Sequence, residues 1–202
     1  MQRLLKAARE ASKAEGSTHD AIISDVLRDH VHVTESLSPS LAAPLVREFN
    51  LEIDDLRQKL AAIPKTCVVA PEDEDRVARV GERLSARYLA ALLEDHGVQS
   101  EYVDLSDVID FPAHHGLDAH FYRDLAHAIG RRVLECGDRV PVVTGFFGGV
   151  PGGLLNSCGR GYSDLLASLV AVGLDANELQ IWKEVSGVYT ASVRLGLTRV
   201  AD

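Results

Sequence analysis

The stretch Val140-Pro141-Val142-Val143-Thr144-Gly145-Phe146-Phe147-Gly148-Gly149 decides how the chain is read. An apolar, β-branched run short enough to be a buried strand empties directly into glycines. Downstream, Gly159-Arg160-Gly161-Tyr162-Ser163-Asp164 opens an apolar helix from Tyr162 to Gly173. Glu178 to Val185 then reads as the next strand, and Gly187-Val188-Tyr189 turns out of it. The order is strand, glycine-rich loop over 145–153, helix, strand. A loop of this kind brings backbone N–H groups close to an anion, and the helix start behind it adds partial positive charge. Arg160 stands just ahead of that helix, where a guanidinium can grip a carboxylate through two parallel hydrogen bonds. Asp164 lies in the first turn. A cation, an anion and a bare helix start within five residues point to a small charged substrate, with a metal–phosphate beside it.

Working outward, the spacing predicts a long helix over Pro71 to Asp95, its start crowded by Glu72, Asp73, Glu74 and Asp75 as the macrodipole favours. Val77, Val80, Leu84, Tyr88, Ala91 and Leu92 form its apolar stripe. Gly81 inside it costs about 1 kcal/mol against alanine, which signals the close approach of something else. Val98 to Leu105 alternates as a strand and ends in Asp104-Leu105-Ser106-Asp107. Asp118 caps a further helix with Phe121, Leu125, Ala128, Ile129 and Val133 facing inward. Arg139 to Thr144 is the buried strand, and Leu165, Leu166, Leu169, Val170 and Val172 of the following helix should pack on the sheet. Strands alternating with helices predict a three-layer αβα sandwich with a mostly parallel sheet and ligands at the strand carboxyl ends. Ahead of this lie three helical segments: Met1 to Glu15, Asp20 to about His32, and Leu41 to Ile63, with Pro44 in the first turn of the last.

Composition excludes several classes. The chain has 202 residues, 46% of them hydrophobic, enough for one domain with a real core. A net charge of -9 argues against nucleic acid, whose phosphates need a basic surface. No apolar run is long enough to span a membrane, and no secretory signal opens the chain. Cys67, Cys136 and Cys158 are odd in number and far apart, as expected of reduced cytosolic thiols, with Cys158 read as a small buried structural thiol. His114, His115, His120 and His127 match no zinc spacing and read as surface residues, so no metal ligands are assigned.

Thr144-Gly145-Phe146, the run Gly159-Arg160-Gly161-x-Ser163-Asp164, and Trp182-Lys183-Glu184-Val185-x-Gly187-Val188-Tyr189-Thr190 resemble the successive motifs of aspartate kinases. Gly81-Glu82-Arg83-Leu84-Ser85 resembles that family's Gly-Glu-x-Leu-Ser, and Gly-Phe-Phe-Gly-x-Val-Pro-Gly-Gly-Leu-Leu is closest to the fungal branch. The resemblance runs from near Met1 to about Ala191. It implies the amino-acid kinase fold, a cytoplasmic enzyme, and transfer of the γ-phosphoryl of ATP, with Mg2+, to the side-chain carboxylate of L-aspartate. That reaction belongs to threonine, methionine and isoleucine synthesis. By resemblance Glu82 holds the amino group of aspartate, Arg160 binds a carboxylate, Ser163 donates a hydrogen bond beside it, and Asp164 orients the phosphates' magnesium or nearby cationic groups. Lys183, Glu184, Tyr189 and Arg194 take the nucleotide positions. The expected partners are aspartate and ATP, with a second copy or a full-length aspartate kinase as a protein partner.

Two departures shape the expectation. The family's opening strand ends in Lys-Phe-Gly-Gly-Thr-Ser, whose lysine neutralises the transferring phosphoryl. Here the lysines are 6, 13, 59, 65 and 183, and that run is absent. After Ala191 the family's Asp-Pro-Arg-Lys-Val-Pro gives way to Ser192-Val193-Arg194-Leu195-Gly196, and no regulatory ACT domain follows. The fold is therefore expected to be incomplete: a helical segment over 1–65, an α/β core over 66–191 and a divergent tail over 192–202. Catalysis by these residues alone is expected to be impaired. The alternative is a non-catalytic fragment that pairs with the intact enzyme.

Overall fold

The computed structural model describes residues 1–13, 18–63, 68–110, 116–150 and 152–182. Four helices come first: α1 (Gln2–Ala11), α2 (Thr18–Thr34), α3 (Pro39–Ala61) and α4 (Pro71–Asp95). Then follow β1 (Ser100–Val103), α5 (Ala119–Leu134), β2 (Val140–Val143), the short α6 (Leu154–Cys158), a 3-10 turn at Gly159–Gly161, and α7 (Tyr162–Gly173).

The first three helices close on one side of α4. Leu4, Ala8 and Ala11 of α1, Ile23 and Val26 of α2, and Phe49, Ile53, Leu56 and Leu60 of α3 meet Val77, Val80 and Leu84 of α4 in one buried cluster. These positions recur at three and four, the spacing that puts one face of each helix inward. At Gly81 a Cβ would lie 3.0 Å from Leu4 Cδ1. The close approach expected at this glycine is therefore that of α1, not of a ligand. The third helix starts at Pro39, whose fixed φ suits a first helical position, so Pro44 falls further in than the first turn.

The two strands run parallel, in register from Ser100 opposite Val140 to Val103 opposite Val143, and α5 makes the crossover between them. Side chains alternate across the ladder. Val142 and Tyr102 pack with Ala86, Ala90 and Leu93 of α4. Val103 and Val143 belong instead to the cluster formed with α5 and α7, which includes Leu125, Ile129, Leu166 and Leu169. The layers are thus α4, sheet, then α5 with α7, the αβα order expected from the pattern.

α5 and α7 cross at bare backbone. A Cβ on Gly130 would stand 2.3 Å from the Gly173 carbonyl oxygen, and one on Gly173 would stand 2.1 Å from that of Ala126. The apolar stripe of α7 accordingly leans on α5. Its Val172, expected on the sheet, is 71% exposed. A second correction concerns the strand expected over Glu178 to Val185. Residues 178–182 form no strand, and Leu179, Ile181 and Trp182 are exposed. Residues 183–185 of that expected strand lie outside the described residues, and among the described ones 178–182 pair with neither β1 nor β2; alternation without a partner does not make a strand. The five-residue α6 within the glycine region was not foreseen, because a single turn carries no periodic signal.

Candidate functional site

The carboxyl end of β2 opens towards one side chain, Glu82. Thr144, just beyond β2, is fully buried; its Oγ1 donates to the Phe146 carbonyl at 3.0 Å and accepts the Leu105 N–H at 3.2 Å. That clamp holds the start of the glycine loop against the end of β1. At Gly145 a Cβ would stand 2.5 Å from Glu82 Oε2, so the carboxylate rests on the loop where only glycine leaves room. Tyr162, the first residue of α7, donates its hydroxyl proton to Glu82 Oε1 at 2.8 Å. One carboxylate from α4 therefore touches both the loop after β2 and the start of α7.

The rest of the loop is pinned by a second acid of the same helix face. Asp75 is buried, and its two carboxylate oxygens accept the backbone N–H groups of Leu154 and Leu155 at the start of α6. A carboxylate satisfies donors there that no helix carbonyl can reach. Burial pushes the Asp75 carboxyl above its ordinary value, and the two N–H groups only partly offset that. Gly153, at φ 84°, passes so close to Pro71 that a Cβ would lie 2.9 Å from the proline ring. Gly148, at φ 110°, passes 3.0 Å from the Ser106 carbonyl by the same measure.

The expected site residues are distributed as follows. Ser163 is exposed at the start of α7, and Asp164 is half-buried in its first turn, where its carbonyl accepts the Ser168 hydroxyl at 3.0 Å. Arg160 lies in the turn leading into that helix; its side chain falls outside the described atoms. Glu82, Ser163 and Asp164 are brought to one end of the sheet through Tyr162. Lys183, Glu184, Tyr189 and Arg194 lie outside the described residues, as do His114, His115 and Cys67. His120 and His127 are exposed on α5; Cys136 is buried, Cys158 is only half-buried where a buried thiol was expected, and burial pushes both free thiols above their ordinary value. Among the described residues no group of three His, Cys, Asp or Glu is placed to hold a metal ion. No helix among them is long and apolar enough to cross a membrane.

Three contributors escaped the pattern. Asp75 read as one of four macrodipole acids, yet it alone turns inward. Tyr162 read as the variable position of its motif. Arg83, likewise variable, reaches Asp104 at 2.7 Å and Glu52 at 3.3 Å, joining α3, α4 and the end of β1. Arg87 extends this network to Glu48 at 2.8 Å and stacks 4.2 Å above the Tyr102 ring. Burial alone would raise the Asp104 carboxyl, but hydrogen bonding from Ser106 and the Arg83 guanidinium together hold it below the ordinary carboxylate value. Nothing local marks such partners: Glu82 and Tyr162 are 80 positions apart.

This fold and loop architecture is that of a known class. The model of the amino acid kinase family matches residues 6–196, and the chain belongs to that family. Among curated proteins it is 45% identical over 196 residues to the aspartokinase of Schizosaccharomyces pombe, and 41% identical over 202 residues to that of Candida albicans. Each alignment takes in 95% of this chain, which spans 38% and 37% of the length of those relatives. Among solved structures, E. coli aspartokinase III in complex with lysine and aspartate superposes with a TM-score of 0.73 at 21% identity, over 98% of this chain and 44% of that one. That likeness carries the fold.

Proposed function

We infer that these residues form the aspartate-holding part of an aspartate kinase catalytic domain, which transfers the γ-phosphoryl of ATP to the side-chain carboxylate of L-aspartate. The observation that carries this is the convergence of Glu82, the bare Gly145 backbone and the start of α7 on one point at the carboxyl end of the sheet. A zwitterionic amino acid needs an anion for its ammonium and a cation for its carboxylate. Glu82 supplies the first and Arg160 the second, with Ser163 donating beside it and Asp164 orienting the phosphate end. Binding of this kind accelerates transfer by placing the acceptor oxygen in line with the phosphorus.

Lys183, Glu184, Tyr189 and Arg194 would hold the nucleotide. Magnesium would arrive with ATP, since it keeps most of its water and binds through phosphate oxygens. The described residues offer no cage of their own for it, so no step is assigned through the ion. The 202 residues contain no Lys-Phe-Gly-Gly run, so turnover by them alone should be weak while aspartate binding persists.

Incubating the purified chain with aspartate and Mg-ATP, and trapping aspartyl phosphate with hydroxylamine, tests both statements. The expected result is hydroxamate no higher than for Arg160→Ala, together with aspartate binding that Arg160→Ala abolishes. Strong Arg160-dependent hydroxamate formation would show that transfer does not need the missing lysine. Failure of the unaltered, folded chain to bind aspartate would remove the substrate assignment.

A further inference from the structure

Tyr162 has no part in the roles assigned above, yet it is built firmly into the site. It is 1% exposed, and its hydroxyl proton has one acceptor, Glu82 Oε1 at 2.8 Å. The other carboxylate oxygen is the one beside Gly145. A glutamate on a helix surface turns freely about its last bond, because that torsion is broad. Here a phenol bonds one oxygen, and the other fills the space that a Cβ on Gly145 would take, which together restrict that torsion. Burial, and then the Glu82 carboxylate itself, push the phenol above its ordinary value, so it remains a donor across the neutral range.

We propose that Tyr162 is a positioning residue: its hydroxyl sets the Glu82 carboxylate to receive the ammonium of an amino dicarboxylate, and so sets the preference for that substrate over the same dicarboxylate without an amine. This rests on the aspartate assignment above. Tyr162 touches no substrate; it acts through Glu82. The ring is retained in Tyr162→Phe, so packing is preserved while the bond to Glu82 is lost.

The test is calorimetric titration of the full 202-residue chain and its Tyr162→Phe variant with aspartate and with succinate. Aspartate affinity is expected to fall about tenfold, because binding must then immobilise a carboxylate that the phenol no longer holds. Succinate affinity should stay within about twofold. Equal losses for aspartate and succinate, or an unchanged aspartate affinity, would overturn the positioning role and leave the aspartate assignment standing. An unaltered chain that binds neither ligand would overturn that assignment, and this inference with it. Should Tyr162→Phe not fold, the unaltered chain decides. Its Tyr162 hydroxyl proton should appear as a slowly exchanging NMR resonance that aspartate moves, and a resonance unmoved by saturating aspartate would overturn the proposal.

Discussion

The two buried clusters satisfy their polar groups differently. In the helical half, buried Ser12 and Thr34 bond to carbonyls three residues back, Arg9 and Val31. These bonds are local and would form in any amphipathic helix. In the α/β half, Ser100 bonds to Ala90, Thr144 ties to Leu105, Asp75 reaches Leu154 and Leu155, and Tyr162 reaches Glu82. Each of these joins two different elements. The fully buried polar groups of the helical half thus bond within their own helices, and only more exposed pairs, such as Arg57 with Asp20 and Ser24, tie one helix to another, whereas those of the other half depend on distant partners. α4 takes part in both: Val77, Val80 and Leu84 serve the first, Asp75 and Glu82 the second.

Substitutions can break this contrast or sharpen it. The largest loss is expected in the helical core, where Phe49 is fully buried. Phe49→Ala should cost about 3–5 kcal/mol by cavity formation, read by denaturant unfolding. Aspartate binding by the molecules that stay folded should be unchanged, and its loss would mean the two halves are not separable in this way.

Gly173→Ala comes next. Its methyl would meet the Ala126 carbonyl at 2.1 Å, so α7 must move off α5 at about 1–3 kcal/mol. Because Tyr162 begins the same helix, aspartate binding should weaken with it, which a stability loss of equal size in α3 should not produce.

Asp75→Asn should cost about 1–2 kcal/mol, since an amide can accept from only one of the two N–H groups and faces the other with its own donor. This one carries a pH signature. The folded carboxyl titrates above its ordinary value, so the folded state binds the proton more tightly than the unfolded one. The stability linked to it is complete below the unfolded value and declines as pH rises through the folded value. Chemical unfolding of the unaltered chain and of Asp75→Asn across pH 3 to 7 should show that decline in the first and its absence in the second. The smallest effect belongs to the exposed Arg3–Asp29 pair, at 2.6 Å. Arg3→Ala should change stability by less than about 0.5 kcal/mol, since solvent screens such pairs.

The limits of the sequence follow the same division. Pro71 to Asp95 and Tyr162 to Gly173 could be bounded to the residue, because proline, acidic first turns and glycine act on the few residues beside them. The cap at Asp118 was legible for that reason, and it accepts the Phe121 N–H at 2.9 Å. Glu82 was found only through the resemblance of its motif; on spacing alone it reads as a solvated helix face. Asp75, Arg83 and Tyr162 were missed because their partners are set by the tertiary fold. The strand expected at Glu178 failed for the related reason that alternation shows what a segment can do, not whether a neighbouring strand is present to pair with it.

The central claim is that Glu82, oriented by the α/β half, holds the amino group of aspartate. Thermal unfolding of the purified chain and of Glu82→Gln, each with and without saturating aspartate, tests it most directly. At a hundred times its dissociation constant, a ligand of the folded state adds about 2.7 kcal/mol, which raises the midpoint of a chain this size by roughly 5–10 °C. The prediction is a shift of that order for the unaltered chain and little or none for Glu82→Gln. A cooperative transition that aspartate leaves unmoved in the unaltered chain, or moves equally in both, would contradict the claim.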